Sequence, residues 1–160
     1  MREMLPSEYA SQDCSIARAL EVVGERWTLL IVREALLGAR SFDDFTAGLG
    51  VASNTLTRRL DSLVDDGVLV RVTDPTDRRR RIYNLTEKGR RLGVVVEALR
   101  EWGDRYGPGR PPVSFQHRDC GGNVKIAMRC TACAQDLDPL ADLVRTQYRP
   151  IRRHDAHSGA

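Results

Sequence analysis

The spacing of the apolar residues changes abruptly at Gly67. Before this glycine, apolar residues recur at steps of three and four and predict a helix with one buried face: Leu56, Leu60, Leu63 and Val64. After it, residues 68–72 and 82–85 have the short period of β-strands. The connection between them is rich in turn residues and ends in four consecutive arginines at 78–81. The chain is therefore predicted to form a helix followed by a hairpin with a cationic tip.

Three more helices are predicted upstream. An amphipathic helix is expected over 15–23. The segment 27–37 is apolar nearly all round, which suits a helix packed on several sides at the core of the domain. Ser41 can cap a short third helix, and a glycine-containing turn at 48–51 separates it from the fourth, which Ser53 would cap. Two short helices around such a turn form a helix-turn-helix pattern.

A long last helix is predicted to begin at Thr86, after the hairpin. Its apolar residues recur at alternating steps of three and four: Leu92, Val95, Leu99, Trp102 and Tyr106. A heptad-like stripe on a helix that projects from a small domain needs a partner to cover it. The helix ends at a linker, residues 107–112, which contains three prolines and two glycines.

Cations are concentrated around the predicted hairpin. The formal charge of the whole chain is only +3, yet 23 of its 25 cations are arginine, and residues 71–91 hold eight cations against three anions. Neighbouring guanidinium groups repel one another unless an anion lies among them, and guanidinium suits bidentate contacts with phosphate and guanine. A merely solvated loop is the alternative. The pattern favours a local nucleic-acid contact.

The fourth helix provides the second part of such a contact. If its leucines face the core, Asn54 and Arg58 lie on the opposite side, where they could pair with adenine and guanine in a DNA major groove. A solvated helix face is the alternative, and the neighbouring cationic hairpin favours double-stranded DNA. The candidate DNA-binding residues are Ser53, Asn54, Thr55, Thr57, Arg58, Arg59, Arg78, Arg79, Arg80 and Arg81.

Several ordered motifs between residues 14 and 106 match a known family. They are Cys14-Ser15, Val23-Gly24-Glu25-Arg26-Trp27-Thr28, Arg40-Ser41-Phe42, Leu56-Thr57-Arg58-Arg59-Leu60 and Tyr83-Asn84-Leu85-Thr86-Glu87-Lys88-Gly89. With these motifs the chain resembles the HxlR-type winged helix-turn-helix transcription regulators, which are relatives of the MarR type. The resemblance implies a homodimer bound to operator DNA, with the fourth helix and the hairpin, or wing, on the duplex.

The resemblance also implies which helices form the dimer. The first and last helices of such regulators make the interface, so the dimerisation residues would be Ile16, Leu20, Leu92, Val95, Leu99, Trp102 and Tyr106. A dimer of this kind is expected to bind an inverted repeat and to repress transcription by covering a promoter.

Cys14 stands just before the first predicted helix. A cysteine near this position resembles the redox or electrophile sensor of some family members, in which modification of the thiol changes operator affinity. Arg18 and the helix N-terminus would favour the thiolate. The alternative is a small hydrophobic residue buried near a helix start.

A possible metal site lies beyond the linker. His117 and Cys120 form one pair spaced by two residues, and Cys130 and Cys133 form a second. Each tight turn can offer two ligands to the same ion, which predicts a closed structural zinc site with no open position for catalysis. The loop between the pairs is shorter than is usual, and an alanine stands where glycine often follows the second pair. A Cys130–Cys133 redox pair and simple reduced cysteines are the alternatives.

Other classes of protein fit the sequence less well. The longest apolar run, residues 27–32, falls far short of the roughly 20 residues of a membrane span. No export signal is visible at the N-terminus, so we expect a cytoplasmic protein whose cysteines are reduced, metal-bound or redox-sensing instead of forming permanent disulfides. Phosphate-binding loops and His-Glu-x-x-His pairs are missing, which argues against an enzyme. No residues identify a small-molecule effector.

The predicted fold is mainly α (α+β), with a winged helix-turn-helix, a long C-terminal dimerisation helix and a small zinc-ribbon-like module. The predicted divisions are a flexible arm at 1–13, the winged domain at 14–106, the linker at 107–112, the module at 113–140 and a partly disordered tail at 141–160. The competing function is a protein-interaction adaptor that dimerises through the winged domain and binds a partner through the module.

Overall fold

The computed structural model describes residues 14–139 and 141–143, so the predicted arm and most of the predicted tail lie outside the described residues. The elements in chain order are α1 (Ser15–Val23), α2 (Thr28–Leu36), α3 (Phe42–Leu49), α4 (Ser53–Asp65), β1 (Leu69–Thr73), β2 (Arg81–Leu85), α5 (Glu87–Arg91), α6 (Gly93–Tyr106), β3 (Met128–Arg129) and β4 (Asp136–Leu137). The order helix, turn, helix, hairpin, helix confirms the predicted winged helix-turn-helix fold.

One hydrophobic core joins α2, α3, α4 and the hairpin. Its fully buried side chains are Ile31, Val32, Phe45, Leu56, Leu60, Leu63, Val68 and Leu69. Burying one side chain of this size contributes about 1.5–3 kcal/mol. The rings of Phe45 and Tyr83 meet edge to face with centroids 6.2 Å apart, which attaches the hairpin to the helices. The leucine face of α4 is therefore fixed toward the core, as the sequence predicted.

The prediction that residues 27–37 form a helix packed on several sides is wrong in part. α2 buries one side through Ile31 and Val32, whereas Leu30 and Leu37 remain exposed, Leu37 to 61%. α2 does pack against several elements, namely α3, α4, the hairpin and α6, but these neighbours leave Leu30 and Leu37 uncovered.

The N-termini of α3 and α4 are built differently. At α3 the predicted capping box is present: Asp44 N donates to Ser41 Oγ (3.2 Å), and Ser41 N donates to the Asp44 carboxylate (2.8 Å). These bonds hold the pKa of Asp44 below its ordinary value. The prediction that Ser53 caps α4 is wrong. Ala52 occupies the cap position and no side chain caps the helix, because the helical bonds begin at the Ala52 carbonyl, which accepts from Leu56 N (3.0 Å).

The C-terminus of α4 is fixed by several hydrogen bonds. Gly67 adopts a left-handed conformation (φ +66°), Gly67 N donates to Val64 O and Val68 N donates to Leu63 O, which is a Schellman motif. Residues at the start of α5 bind the same end. Thr86 Oγ1 donates to Gly67 O (2.7 Å), and Lys88 Nζ donates to Asp66 O (2.6 Å).

The wing is an antiparallel hairpin whose register pairs Leu69 with Leu85 and Thr73 with Arg81. Ser41 adds a single bridge to Ile82, which sequence periodicity could not show. The pairing corrects the prediction that all four arginines lie at the tip. Arg81 is the first residue of β2, and its guanidinium donates across the hairpin to Thr73 Oγ1.

The predicted single helix from Thr86 to Tyr106 is in fact two helices that meet at Leu92. Leu92 N donates to Gly89 O, three residues back, and the Leu92 side chain packs against the core. The chain turns inward at this point, so Leu92 does not belong to the exposed stripe. Thr86 does cap α5, because its Oγ1 accepts from Gly89 N (3.1 Å).

The C-terminal module lies along α6. Ile126 N donates to Glu101 Oε2 (3.1 Å), and the Arg100 guanidinium lies 5.3 Å from the centre of the Phe115 ring. The two strands β3 and β4 pair antiparallel and contain two residues each. In the part of the chain that the structure describes, no helix is long and apolar enough to cross a membrane.

A substitution at Gly89 tests how closely α5 approaches the start of the wing. A Cβ on Gly89 would lie 2.2 Å from Val68 O, so Gly89→Ala should destabilise the domain by about 1–3 kcal/mol, because two backbone segments must separate. Gly103→Ala is the matched control, since a Cβ there meets no atom within 4 Å, and it should be neutral or stabilising by up to about 1 kcal/mol. Denaturant unfolding followed by circular dichroism measures both. Equal stability of Gly89→Ala and wild type would contradict the packing.

Candidate nucleic-acid interface

The outer face of α4 is a continuous polar surface. Asn54, Thr57 and Arg58 are exposed because the leucines on the opposite side of the helix are buried. Ser53 is exposed in the first turn, and Thr55 is half-buried at the edge of the face. The structure therefore places the four predicted base-reading residues, and Ser53, which was predicted as the cap, together in the N-terminal half of α4.

The two halves of this face differ in charge. The N-terminal half carries Asn54, Thr57 and Arg58, whereas the C-terminal half carries three carboxylates, at Asp61, Asp65 and Asp66. A DNA backbone is repelled by the carboxylates and attracted to the N-terminal half, where the helix dipole also favours anions. The absence of a side-chain cap on α4 leaves its first amides for an acceptor outside the helix.

The wing lies on the same side of the molecule as this face. Arg71, in β1, places its Nη1 2.8 Å from Asp61 Oδ1, which is on the outer face of α4. Tyr83 and Asp61 raise the pKa of the Arg71 guanidinium further above its ordinary value. Both partners are about half exposed, so solvent screening leaves the ion pair a small contribution to stability. Its value is positional, because it fixes the wing next to the recognition face.

The arginines around this surface fall into two groups. Arg59 pairs with Glu25 (2.7 Å), Arg71 with Asp61, and Arg90 and Arg91 with Glu87. Within residues 14–139 and 141–143, by contrast, no carboxylate oxygen lies within 4.0 Å of five guanidinium groups of α4 and the wing: those of Arg58, Arg78, Arg79, Arg80 and Arg81. Arg81 donates to Thr73 Oγ1, so the other four are the cations most available to phosphate or to a base edge.

The acids of the wing tip bind backbone and hydroxyl groups instead of guanidinium groups. Asp74 Oδ1 accepts from Thr76 N (2.8 Å) and Thr76 Oγ1 (2.6 Å), and Asp77 Oδ1 accepts from Arg79 N (2.9 Å). The bonds from Thr76 hold the pKa of Asp74 below its ordinary value, so its carboxylate stays ionised. The tip is shaped by its carboxylates while its guanidinium groups point to solvent.

Three cations that the sequence assigned to the basic stretch have internal roles. Arg71 joins the wing to α4, Lys88 binds the C-terminus of α4, and Arg90 donates to Leu85 O (2.9 Å). Arg59, a predicted DNA contact, is 18% exposed at its side chain and would have to leave Glu25 to reach a phosphate. Sequence reasoning missed these roles because each depends on a partner distant along the chain.

The remaining predicted site residues lie elsewhere. Ile16 is 70% exposed and Leu20 is exposed on α1, and on α6 Val95, Leu99, Trp102 and Tyr106 are all exposed. Cys14 is the exposed N-cap residue of α1. In the C-terminal module, His117 Nδ1 lies 3.2 Å from Cys120 Sγ, and no three His, Cys, Asp or Glu residues of the described chain are grouped so as to hold a metal ion.

The profile of one family, described as HxlR-like helix-turn-helix, matches residues 22–110. The chain belongs to the HxlR family. The match covers α2 to α6, including the whole recognition face and the wing.

Relatives of this HxlR protein support the assignment. An uncharacterized HTH-type transcriptional regulator of Mycobacterium tuberculosis is 43% identical over 125 residues, which is 77% of this chain and 79% of the relative. The crystal structure of PA1607, provisionally assigned as a transcription factor, matches with a TM-score of 0.77 and 36% identity over 84% of this chain and 96% of its own. The protein is a transcriptional regulator of the HxlR type.

A third relative is a protein of solved structure that is described as a redox regulator. The redox regulator HypR in its oxidized form matches with a TM-score of 0.55 and 26% identity, and the match covers 60% of this chain and all of HypR.

The matched stretch of the mycobacterial relative is longer than the 112 residues that precede the predicted module. Similarity to that relative therefore extends beyond the winged domain.

Proposed function

We propose that this HxlR regulator is a homodimeric repressor that binds an inverted-repeat operator. In each subunit the N-terminal half of α4 enters a major groove and the wing tip lies on the adjacent backbone or minor groove. One observation carries the proposal: the Arg71–Asp61 contact brings the base of the wing to the outer face of α4, from which we infer that Arg58 and Arg78–Arg80 meet the same duplex.

The roles of the contact residues follow from their chemistry. Asn54 offers a donor and an acceptor to adenine, and Arg58 offers two parallel donors to guanine. Thr55 and Thr57 are adjacent hydroxyl groups for bases or phosphates. Arg78, Arg79 and Arg80 supply charge without sequence readout. Arg81 and Arg59 are secondary, because each guanidinium already has a partner within the chain.

A second copy of the chain is the proposed partner of the exposed apolar residues. Leu99 is 51% and Trp102 65% exposed on α6, and Ile16 and Leu20 add a second strip on α1. Contiguous apolar surface of this kind marks protein interfaces. A two-fold symmetric dimer presents two copies of α4, which predicts half-sites one DNA helical turn, or a multiple of it, apart.

Substituting Arg58 and a wing arginine separately by alanine tests the base contact and the phosphate contact. Arg58→Ala should lose roughly 1–3 kcal/mol of binding at one base position, because a bidentate base contact is removed. Arg79→Ala should weaken all sequences alike and lower the salt slope of log K by about 1, because a phosphate contact is removed. Arg110→Ala, in the linker, is the matched control and should change neither.

Fluorescence anisotropy on operator variants at several salt concentrations gives both quantities. Uniform loss in both variants would refute the division of roles. If wild-type protein binds no genomic fragment in a gel shift even at low salt, the adaptor hypothesis replaces DNA binding.

Introducing a charged residue into the exposed apolar stripe of α6 tests the proposed dimer. Leu99→Glu should raise the dissociation constant of the dimer at least about tenfold, since a carboxylate must then be buried in an apolar interface. Val124→Glu, at an exposed valine in the module, is the control and should leave the dimer unchanged. Sedimentation equilibrium measures both. A monomeric wild-type protein, or a dimer indifferent to Leu99→Glu, would contradict the assignment.

We extend the proposal to redox control through Cys14. The thiol is exposed at the first turn of α1, two residues from Ile16 in the proposed interface. A substituent on this thiol would therefore change the dimer contact and, through it, the spacing of the two α4 helices. The solved relative HypR, described as a redox regulator, supports redox control as such, and the position of Cys14 carries the assignment to this residue.

Modification of Cys14 is expected to lower operator affinity. Diamide or an aldehyde should weaken DNA binding by wild type, and Cys14→Ser should be insensitive. Gel shifts combined with peptide mass spectrometry give affinity and occupancy together. Unchanged binding by protein fully alkylated at Cys14 would end the sensor hypothesis.

A further inference from the structure

The C-terminal module contains two turns with the same backbone hydrogen bonds. In the first turn, residues 117–122, His117 N donates to Gly122 O (2.8 Å) and Gly121 N donates to His117 O (2.8 Å). The second turn, residues 130–135, repeats both bonds thirteen positions later, at 2.9 and 3.0 Å. Each turn is flanked by an antiparallel residue pair, Gln116 with Asn123 and Arg129 with Asp136.

The equivalence extends to an unusual conformation. The fifth residue of each turn is left-handed, Gly121 with φ +69° and Ala134 with φ +57°. Among the described residues Ala134 is the single non-glycine residue with positive φ. This conformation costs an alanine roughly 1–2 kcal/mol, so it persists where the surroundings impose it. Alanine in place of the usual glycine therefore leaves the geometry of the second turn unchanged.

The candidate ligands occupy equivalent positions in the two turns. His117 and Cys130 come first, and Cys120 and Cys133 come fourth. In the first turn His117 Nδ1 lies 3.2 Å from Cys120 Sγ. Nε2 of the same ring lies 3.7 Å from Asp119 Oδ2, on the side from which a carboxylate orients a metal-bound imidazole.

The module that contains these turns has no buried hydrophobic core of its own. Among residues 113–139 none is buried, and three are half-buried: Ile126, Cys130 and Leu137. A module of this size without a core needs a disulfide, a metal or an oligomer to fix it. The two pairs of donors are also not yet gathered around a common point, since no three of them are grouped. An ion that binds both pairs would draw the two turns together.

We propose that His117, Cys120, Cys130 and Cys133 bind one structural Zn²⁺ per chain. Three thiolates and one imidazole complete a tetrahedral shell and leave no open position, so the ion stabilises the module and catalyses nothing. Binding replaces the three thiol protons, which pass to solvent. Because the module contacts α6 through Ile126–Glu101 and Phe115–Arg100, the ion would fix a platform against the helix that carries the dimer stripe.

Metal analysis of the full chain tests the site independently of DNA binding. Protein purified under reducing conditions should contain one zinc per chain after dialysis against a competing chelator. His117→Ala and Cys133→Ser should lose it, with affinity lowered at least about tenfold, whereas His117→Cys, which restores a ligand, should keep it. Cys14→Ser is the matched cysteine control and should also keep it. Co²⁺ added to the metal-free protein should give the intense visible bands of a tetrahedral thiolate site.

Several results would overturn the proposal. One is a reduced wild-type protein that contains no zinc and takes up no Co²⁺. Another is a Cys133→Ser variant that holds zinc as tightly as wild type. A third is a metal-free protein whose mass is lower by two hydrogens and whose peptide map places the disulfide between Cys130 and Cys133, which would identify these two as a redox pair. Helical circular dichroism retained in the variants shows that metal loss reflects the missing ligand, because the module contributes no buried residue to the winged domain.

Discussion

Burial of the leucine face of α4 is the constraint on which the rest of the structure depends. Leu56, Leu60 and Leu63 are almost fully inaccessible, and turning the helix about its axis would expose all three at a cost of several kcal/mol. With that face fixed, Asn54 and Arg58 have only the solvent side to occupy. The Schellman motif at Gly67 then directs β1 back along the helix, which brings the wing beside the recognition face.

Local patterns in the sequence predicted the fold wherever a single segment decides the outcome. The leucine period, the stop at Gly67, the two strands and the capping box at Ser41 depend on residues close together in the chain. The errors arose where a distant contact decides. Leu92 turns into the core and breaks the last helix, and Arg81 is held in a strand by its pairing with Thr73.

The elements that form the candidate DNA-binding surface were predictable from the sequence, but the cations available on it were not. Counting residues 71–91 gave eight cations, yet Lys88 and Arg90 bind carbonyl oxygens of neighbouring segments and Arg71 binds α4. Which guanidinium groups remain without a carboxylate depends on the tertiary structure. The same holds in the C-terminal module, where spacing predicted two turns but the left-handed Ala134 that makes them equivalent is visible only in the backbone.

In the proposed complex the N-terminal half of α4 and the wing tip contact one DNA duplex together. Modification of arginines by a phenylglyoxal reagent, with and without bound DNA and read by peptide mass spectrometry, tests it most directly, because every guanidinium reports in one experiment. We expect DNA to protect Arg58, Arg78, Arg79 and Arg80 in parallel, while Arg110 and Arg118 react as before. Protection of the wing without Arg58, or of neither, would contradict it.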